Sequence, residues 1–264
     1  MKHSIIISLT EACNWKCNYC HNKSTVVRVD YDYVIKILEY IMKNHSDDIK
    51  HLIFSGGEPG LLNVNFWSDV IYLIKKYHFK SKVKIYTNGS IFNLPIIDNL
   101  LSNINSVRWH CVPTLNDKIT KYDINFDKYD IEQVIVYRPN NILALVKFLE
   151  INKHKILENF LISYDTNVSY RDYDLDALNL VINKFKSKIH VINVGLEHKP
   201  SKENRLNCMV NYPTMRIDME EKTISPCCKI IDSNIQLNEF NFSQLITNQI
   251  CSYSLQCLNC NSVL

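Results

Sequence analysis

IIISLTEACNWKCNYC, residues 5–20 of the chain, joins a short run of β-branched residues to three closely spaced cysteines. The run Ile5–Leu9 has the length and composition of a buried strand. Cys13, Cys17 and Cys20 follow in the pattern Cys-x3-Cys-x2-Cys, so all three lie on one loop directly after that strand. Because parallel α/β sheets bind ligands at the carboxyl ends of their strands, this stretch predicts both the fold class and the site.

The strand-then-helix pattern repeats to about residue 195. The predicted strands are Ile5–Leu9, His51–Phe54, Val83–Tyr86, Val107–Cys111, Ile131–Tyr137 and Phe160–Tyr164. The predicted amphipathic helices are Tyr31–Asn44, Phe66–Tyr77, Leu94–Leu101, Ile142–Asn152 and Leu175–Phe185. The polar segment Asn116–Asp130 is expected to form a loop or a short helix. Six βα units predict an α/β fold, a partial (β/α)6 TIM-like barrel with a parallel sheet and right-handed crossovers.

After Gly195 the alternation stops, and the remaining residues contain six of the ten cysteines. This segment shows one possible hairpin, Met215–Ser225, and one short helix around Phe242–Thr247. So few apolar residues could not hold a fold on their own. We therefore predict two domains: residues 1–195 as the barrel and residues 196–264 as a small C-terminal cluster-binding appendage.

Composition narrows the function classes. The apolar run at the N-terminus is too short for a signal peptide or a membrane span, so we expect a cytoplasmic protein with no membrane partner. Ten cysteines in a reducing compartment predict metal or cluster ligation instead of a disulfide framework. The net charge of +3 is spread over scattered positions, which predicts no nucleic-acid partner.

Three thiolates on one loop can hold three irons of a cubane [4Fe–4S] cluster, which leaves one iron open. A small chelating molecule can bind at such an open position, and S-adenosylmethionine offers an amine and a carboxylate. The alternative is a zinc knuckle that takes a fourth ligand, with His21 the nearest candidate.

Glycines mark the neighbouring strand ends. Four of the five glycines, Gly56, Gly57, Gly60 and Gly89, lie near the ends of the second and third predicted strands. There they allow the backbone to approach a ligand closely. The third strand ends in Thr87-Asn88-Gly89, for which a simple turn is an adequate alternative explanation.

Cys13–Cys20, followed by Gly56-Gly57-Glu58-Pro59, resembles the radical S-adenosylmethionine superfamily over the first 90 residues. The alternation to residue 195 resembles the partial barrel of that family. The resemblance implies that Cys13, Cys17 and Cys20 ligate a catalytic [4Fe–4S] cluster. The expected S-adenosylmethionine contacts are Tyr19 on the adenine, Gly56, Gly57, Glu58 and Pro59 at the amino group, Thr87 and Asn88 at the third strand end, and Arg138 on the carboxylate. For Arg138, a surface arginine is an equally good interpretation.

The C-terminal cysteines resemble the shortened twitch form of the SPASM-like auxiliary-cluster domain of radical enzymes. By that resemblance Cys208, Cys227, Cys257 and Cys260 hold one auxiliary [4Fe–4S] cluster, with Cys228 or Cys251 spare or substituting. The alternative is a structural zinc in the same four cysteines, because sulfur-only tetrahedral sites suit both. Cys111, inside the fourth strand, is most simply a buried small apolar residue.

The resemblance implies reductive cleavage of S-adenosylmethionine to a 5′-deoxyadenosyl radical, which takes a hydrogen atom from the substrate. A flavodoxin- or ferredoxin-type reductant would supply the electron, and an auxiliary cluster that accepts one would make the reaction a net oxidation. A dehydrogenation would need a base, for which His110, Tyr164 and Arg138 are candidates. A structural histidine is the simpler interpretation of His110.

Three functions follow. The first is oxidation of a small molecule such as a cyclitol, sugar or nucleoside-like metabolite, expected because the first strand begins near residue 4 and leaves no room before it for a peptide-leader-binding module. The second is modification of a ribosomally made peptide. The third, from another class, is a non-enzymatic iron–sulfur or zinc protein.

Overall fold

A computed structural model of the chain describes residues 2–17, 20, 24–111, 125–137, 142–152, 160–164, 175–184, 191–192, 214–225, 235–238 and 241–243. The strands are β1 (His3–Thr10), β2 (Ile49–Gly56), β3 (Lys82–Thr87), β4 (Ser106–Cys111), β5 (Ile131–Tyr137), β6 (Phe160–Tyr164), β7 (Val191–Ile192), β8 (Thr214–Asp218), β9 (Thr223–Ser225) and β10 (Ile235–Gln236). The helices are α1 (Tyr31–Asn44), α2 (Val64–Lys76), α3 (Ile97–Leu101), α4 (Ile142–Asn152) and α5 (Leu175–Lys184).

The strands β1 to β7 lie in chain order and pair in parallel, each with the next. This arrangement confirms the predicted α/β fold with a parallel sheet, consistent with a partial TIM-like barrel. None of the described helices is long and apolar enough to cross a membrane.

The described core lies between the sheet and its helices. Ile5 and Ile7 of β1 are fully buried, and Leu38 of α1 and Trp67 of α2 belong to the same hydrophobic cluster. Trp67 packs edge-on against Phe54 of β2, with ring centroids 5.7 Å apart. Successive side chains of a strand point to opposite faces, so in β3 and β4 the buried face packs on the helices and the alternate side chains face the barrel interior.

The predicted helix Leu94–Leu101 was wrong in its first turn. Leu94 has an extended backbone, with φ −70° and ψ 133°, and α3 begins only at Ile97. The reason is Pro95, whose ring excludes the helical conformation from the residue before it. A short 3-10 turn, Ser90–Asn93, precedes this break.

The C-terminal hairpin is present, but its place in the fold was not expected. β8 and β9 pair antiparallel, as predicted for Met215–Ser225. In addition, β8 pairs in parallel with β1, from Ser4 opposite Thr214 to Ser8 opposite Asp218. This part of the tail therefore continues the barrel sheet, while the predicted domain boundary at residue 195 stays a prediction.

Two other expectations concern the linking segments. Of the segment Asn116–Asp130, the described residues 125–130 contain a short 3-10 turn, Phe126–Lys128, as expected for a loop or short helix. Parallel strand β7 was not predicted, because two residues are too few to show a periodic pattern.

Candidate functional site

The cysteine loop runs from Thr10, the last residue of β1, to Asp30, the N-cap of α1. Its two ends are joined by hydrogen bonds. Ala12 and Ser24 form a parallel bridge, and the Cys13 amide donates to the Ser24 carbonyl over 2.9 Å. Cys13 is buried, whereas Cys17 and Cys20 are partly exposed. The Cys20 amide donates to the Cys17 carbonyl over 3.1 Å, so the backbones of the last two cysteines lie close together.

Gly57 and Glu58 hold the base of this loop with their backbone amides. The Gly57 amide donates to the Thr10 carbonyl, and the Glu58 amide donates to the Ala12 carbonyl over 2.7 Å. A Cβ on Gly57 would overlap the Ala12 carbonyl group. Only glycine therefore allows β2 to approach the loop this closely.

The Glu58 carboxylate ties the ends of β2 and β3 together. Its Oε1 accepts hydrogen bonds from the Thr87 hydroxyl over 2.6 Å and from the Gly60 amide over 2.7 Å. Its Oε2 accepts one from the Asn88 amide over 2.6 Å. Complete burial raises the pKa of Glu58 to about 7, although these three hydrogen bonds favour the charged carboxylate and lower it.

Asn88 links the end of β3 to the cysteine loop. Its side-chain amide donates to Asn14 Oδ1 over 2.8 Å and lies 3.7 Å from Cys13 Sγ. Asn14 in turn donates to the Ser90 hydroxyl over 2.8 Å. The adjacent Gly89 has φ +103°, a left-handed conformation that suits glycine. The tripeptide Thr87-Asn88-Gly89 therefore contacts the loop, and Asn14 and Ser90 are site residues that the sequence did not identify.

The donor set of the loop fits a cluster. Burial raises the pKa of the Cys13 thiol, and nearby Glu58, Cys17 and Cys20 raise it further, so the three cysteines lie close enough to interact electrostatically. Among the described residues, no three His, Cys, Asp or Glu side chains are arranged around a single metal ion. A cubane does not need such an arrangement, because each cysteine binds a different iron.

His110 lies on the barrel-facing side of β4. Its neighbours Trp109 and Cys111 belong to the core on the helix side, so His110 shares the opposite face with Arg108. The ring of Tyr86 on β3 lies 6.0 Å from the imidazole, and the Arg108 guanidinium lies 4.9 Å from the Tyr86 ring centroid.

This environment does not suit His110 for the role of general base. Burial and, to a smaller extent, the positive charge of Arg108, which pairs with Glu132, together lower its pKa to about 4. An imidazole with this pKa is neutral at pH 7 and accepts a proton poorly. Its buried Nε2 has no hydrogen-bond partner within the described part of the chain.

Several predicted site residues lie outside the described residues, namely Tyr19, His21, Arg138, Cys208, Cys227, Cys228, Cys251, Cys257 and Cys260. Tyr164 ends β6, but its side chain is not described. Cys111 is buried, as expected. Its thiol accepts a hydrogen bond from Gln133 over 3.5 Å, and burial raises its pKa to about 12.

Two curated proteins are similar to part of this chain. One, named S-adenosylmethionine-dependent nucleotide dehydratase, from Fibrobacter sp. (strain UWH6), is 37% identical over 31% of this chain and 26% of its own length. The other, named probable GTP 3′,8-cyclase, from Methanothermobacter marburgensis, is 30% identical over 39% of this chain and 33% of its own length. The matched segments thus span about a third or less of these relatives.

Solved structures share the fold over most of the chain. The structure titled "Native anSMEcpe with bound AdoMet" matches with a TM-score of 0.62 and 14% identity, covering 93% of this chain and 80% of that one. Streptococcus suis SuiB bound to precursor peptide SuiA matches with a TM-score of 0.56 and 14% identity, covering 89% and 62%. Residues 7–135, which contain the cysteine loop and reach into β5, match the sequence model of the Radical SAM superfamily.

Proposed function

We propose that this chain is a radical S-adenosylmethionine enzyme. The observation that carries the proposal is the construction of the cysteine loop. Its base is held by the Gly57 and Glu58 amides, and its first cysteine lies beside Asn88 at the end of β3. Three thiolates are thereby presented at the carboxyl edge of a parallel sheet, where α/β proteins bind their ligands.

Cys13, Cys17 and Cys20 would hold a [4Fe–4S] cluster with one iron open to S-adenosylmethionine. When S-adenosylmethionine is bound at that iron, the cluster would supply the electron that splits this cofactor into methionine and a 5′-deoxyadenosyl radical. Glu58 and Asn88 would fix the loop against the ends of β2 and β3. The proposed contacts to S-adenosylmethionine remain Tyr19, Gly56, Gly57, Glu58, Pro59, Thr87, Asn88 and Arg138.

The proposed substrate is a nucleoside-like or other small metabolite. Both curated relatives are named for reactions of nucleotides, which supports this class. Their names describe a dehydration and a cyclisation, so a net oxidation rests on the C-terminal cysteines alone. In this proposal one auxiliary [4Fe–4S] cluster is bound by Cys208, Cys227, Cys257 and Cys260. It accepts one electron from the substrate radical. A flavodoxin- or ferredoxin-type protein reduces the first cluster.

Modification of a peptide is the second candidate. It is supported by the similar fold of Streptococcus suis SuiB in its complex with the precursor peptide SuiA. One assay distinguishes the small-molecule from the peptide substrate: the rate of 5′-deoxyadenosine formation is measured in the presence of nucleoside triphosphates, sugars or short peptides. A stimulation confined to peptides would contradict the small-molecule proposal.

Anaerobic reconstitution with iron and sulfide tests the chemistry. Wild-type protein should bind about eight irons if both clusters form, and the triple variant Cys13→Ala/Cys17→Ala/Cys20→Ala should bind about four. With dithionite and S-adenosylmethionine, the wild type should release 5′-deoxyadenosine and the triple variant should not. Cys111→Ala is the matched control, because Cys111 lies on the helix side of β4, and this variant should behave as the wild type.

Two outcomes would contradict the proposal. If the triple variant still formed 5′-deoxyadenosine, the loop would not carry the reaction. If fully reconstituted wild type formed none, the chain would be a non-enzymatic iron–sulfur or zinc protein, the remaining alternative.

A further inference from the structure

Glu220 connects the C-terminal hairpin to both ends of the cysteine loop. Its Oε1 accepts a hydrogen bond from the Thr10 hydroxyl over 2.6 Å and one from the Glu11 amide over 3.1 Å. The same oxygen accepts a longer one, 3.4 Å, from the Arg28 amide. Thr10 and Glu11 begin the loop, and Arg28 lies two residues before Asp30, the N-cap of α1. One carboxylate therefore joins the entry and the exit of the loop.

The contact at Thr10 extends to the first cysteine. The Thr10 hydroxyl oxygen accepts a hydrogen bond from the Ala12 amide over 3.0 Å. The next amide along the chain, that of Cys13, closes the bridge to Ser24. Because a hydroxyl can donate one hydrogen bond while it accepts another, Glu220 orients the group that fixes the backbone just before Cys13.

The hairpin turn holds Glu220 in place independently of the loop. Asp218 Oδ1 accepts hydrogen bonds from the amides of Glu220 and Glu221, both over 3.1 Å. The Met219 amide donates to the Ser8 carbonyl of β1 over 3.0 Å. Beyond Glu221, the Lys222 ammonium lies 2.8 Å from the Asp30 carboxylate. These contacts fix the turn on β1 and on the start of α1, so the Glu220 side chain extends from a supported backbone.

Three donors of the loop converge on a single carboxylate oxygen of Glu220, namely the Thr10 hydroxyl and the backbone amides of Glu11 and Arg28. Hydrogen bonds to a charged acceptor are among the stronger ones in proteins, so this oxygen is well placed to hold the two ends of the loop together.

We propose that Glu220 is a positioning residue that holds the cysteine loop closed, so that the hairpin β8–β9 controls how firmly the loop retains its cluster. This inference rests on the proposed function in one respect only, namely that the loop binds a cluster. The closure of the loop itself does not depend on that assumption.

Iron release tests the retention. Reconstituted wild type, Glu220→Ala, Glu220→Gln and Glu221→Ala are mixed with a ferrous chelator, and the rate of iron loss is followed by absorbance. Glu220→Ala should lose the loop cluster about tenfold faster, because it removes a charged hydrogen-bond acceptor. Glu220→Gln keeps one acceptor oxygen and should show a smaller change. The electron paramagnetic resonance spectrum of the reduced loop cluster should also differ from wild type in Glu220→Ala.

Glu221→Ala is the matched control. It removes the same charge from the same turn, but the Glu221 carboxylate is exposed and forms no hydrogen bond to Thr10, Glu11 or Arg28 in the structure. It should retain iron like the wild type. Equal acceleration in Glu220→Ala and Glu221→Ala would show a general effect of acidic charge and would overturn the proposal, as would no acceleration in Glu220→Ala.

Hydrogen exchange on the metal-free chain separates this inference from the proposed function. The amides of Glu11, Ala12 and Arg28 should exchange about tenfold faster in Glu220→Ala than in wild type, while those of β3 should not change. If the wild type bound no iron but Glu220→Ala still exchanged these amides faster, the proposed function would be wrong and the role of Glu220 in closing the loop would be supported. Unchanged exchange at all three amides would overturn the role of Glu220.

Discussion

At the scale of single residues, Glu58 does more than its place in a Gly-Gly-Glu-Pro motif implies. It is completely buried, and three donors from Gly60, Thr87 and Asn88 converge on its carboxylate. Burial opposes the charge that these donors favour, and the pKa of about 7 is the balance between the two. The carboxylate is thus a structural connection between the ends of β2 and β3.

Glu58→Gln should lower the free energy of unfolding by about 1–3 kcal/mol, because an amide cannot accept on both sides and one buried donor loses its partner. The pH dependence has a definite sign. The folded pKa of about 7 lies above the ordinary value of 4.5, so the stability from this group is full below about pH 4.5 and is lost as the pH rises through 7.

Urea unfolding at pH 5 and pH 8 measures both effects. Wild type should lose more stability than Glu58→Gln between the two pH values, and Glu221→Gln, at an exposed site, should keep the wild-type dependence. Parallel behaviour of wild type and Glu58→Gln would show that Glu58 titrates as an ordinary carboxylate.

Gly57→Ala is a second prediction for a single residue. The added Cβ would overlap the Ala12 carbonyl, a backbone group that the loop needs in order to accept from Glu58. We expect the loop base to shift and the iron bound after reconstitution to fall, with little change in far-ultraviolet circular dichroism. Full iron content in this variant would mean that the loop base can move without losing its ligands.

At the scale of elements, the two helices that follow the first strands begin at side-chain caps. Asp30 Oδ1 accepts from the Tyr33 amide over 3.1 Å at the start of α1, and Asn63 Oδ1 accepts from the Phe66 amide over 2.8 Å at the start of α2. Each cap satisfies an amide that has no partner within the helix.

Asn63→Ala should therefore destabilise the protein by about 1 kcal/mol. Asp69→Ala, at an exposed position on the same helix, is the control and should lie within about 0.5 kcal/mol of wild type. Chemical unfolding of the two variants gives the comparison. Equal stabilities would mean that solvent replaces the cap without cost.

At the scale of the whole molecule, the tail packs on the barrel at more than the hairpin. Phe242 is buried, with its ring centroid 5.3 Å from that of His45 and 6.4 Å from that of Tyr40. The hydroxyls of Tyr40 and Ser243 lie 2.6 Å apart, and the Tyr33 hydroxyl donates to the Leu237 carbonyl over 2.8 Å. These contacts attach Leu237, Phe242 and Ser243 to α1 and to His45, which directly follows it.

Phe242→Ala should lower the free energy of unfolding by about 3–5 kcal/mol, the usual cost of emptying a buried aromatic site. Leu180→Ala is the control, because Leu180 on α5 is 72% exposed and its truncation creates no cavity. Urea denaturation measures both. A loss below about 1 kcal/mol in Phe242→Ala would indicate that the tail is not part of the cooperative unit.

Local sequence was enough to predict the order of β1 to β6, the bounds of α1 and α4, and the single loop that carries Cys13, Cys17 and Cys20. These features follow from periodicity and spacing over a few residues, which local sequence records directly. The predicted start of α3 was wrong, because the effect of Pro95 on the backbone of Leu94 outweighed the helical spacing of the apolar residues.

Which distant residues meet at the loop depends on how the whole chain folds. Glu220 contacts Glu11 across 209 positions of sequence, and β8 joins β1 across a similar separation. Neither contact leaves a periodic signal in the chain. The neutral state of His110 likewise depends on burial and on Arg108, so chain folding, not residue type, set its chemistry.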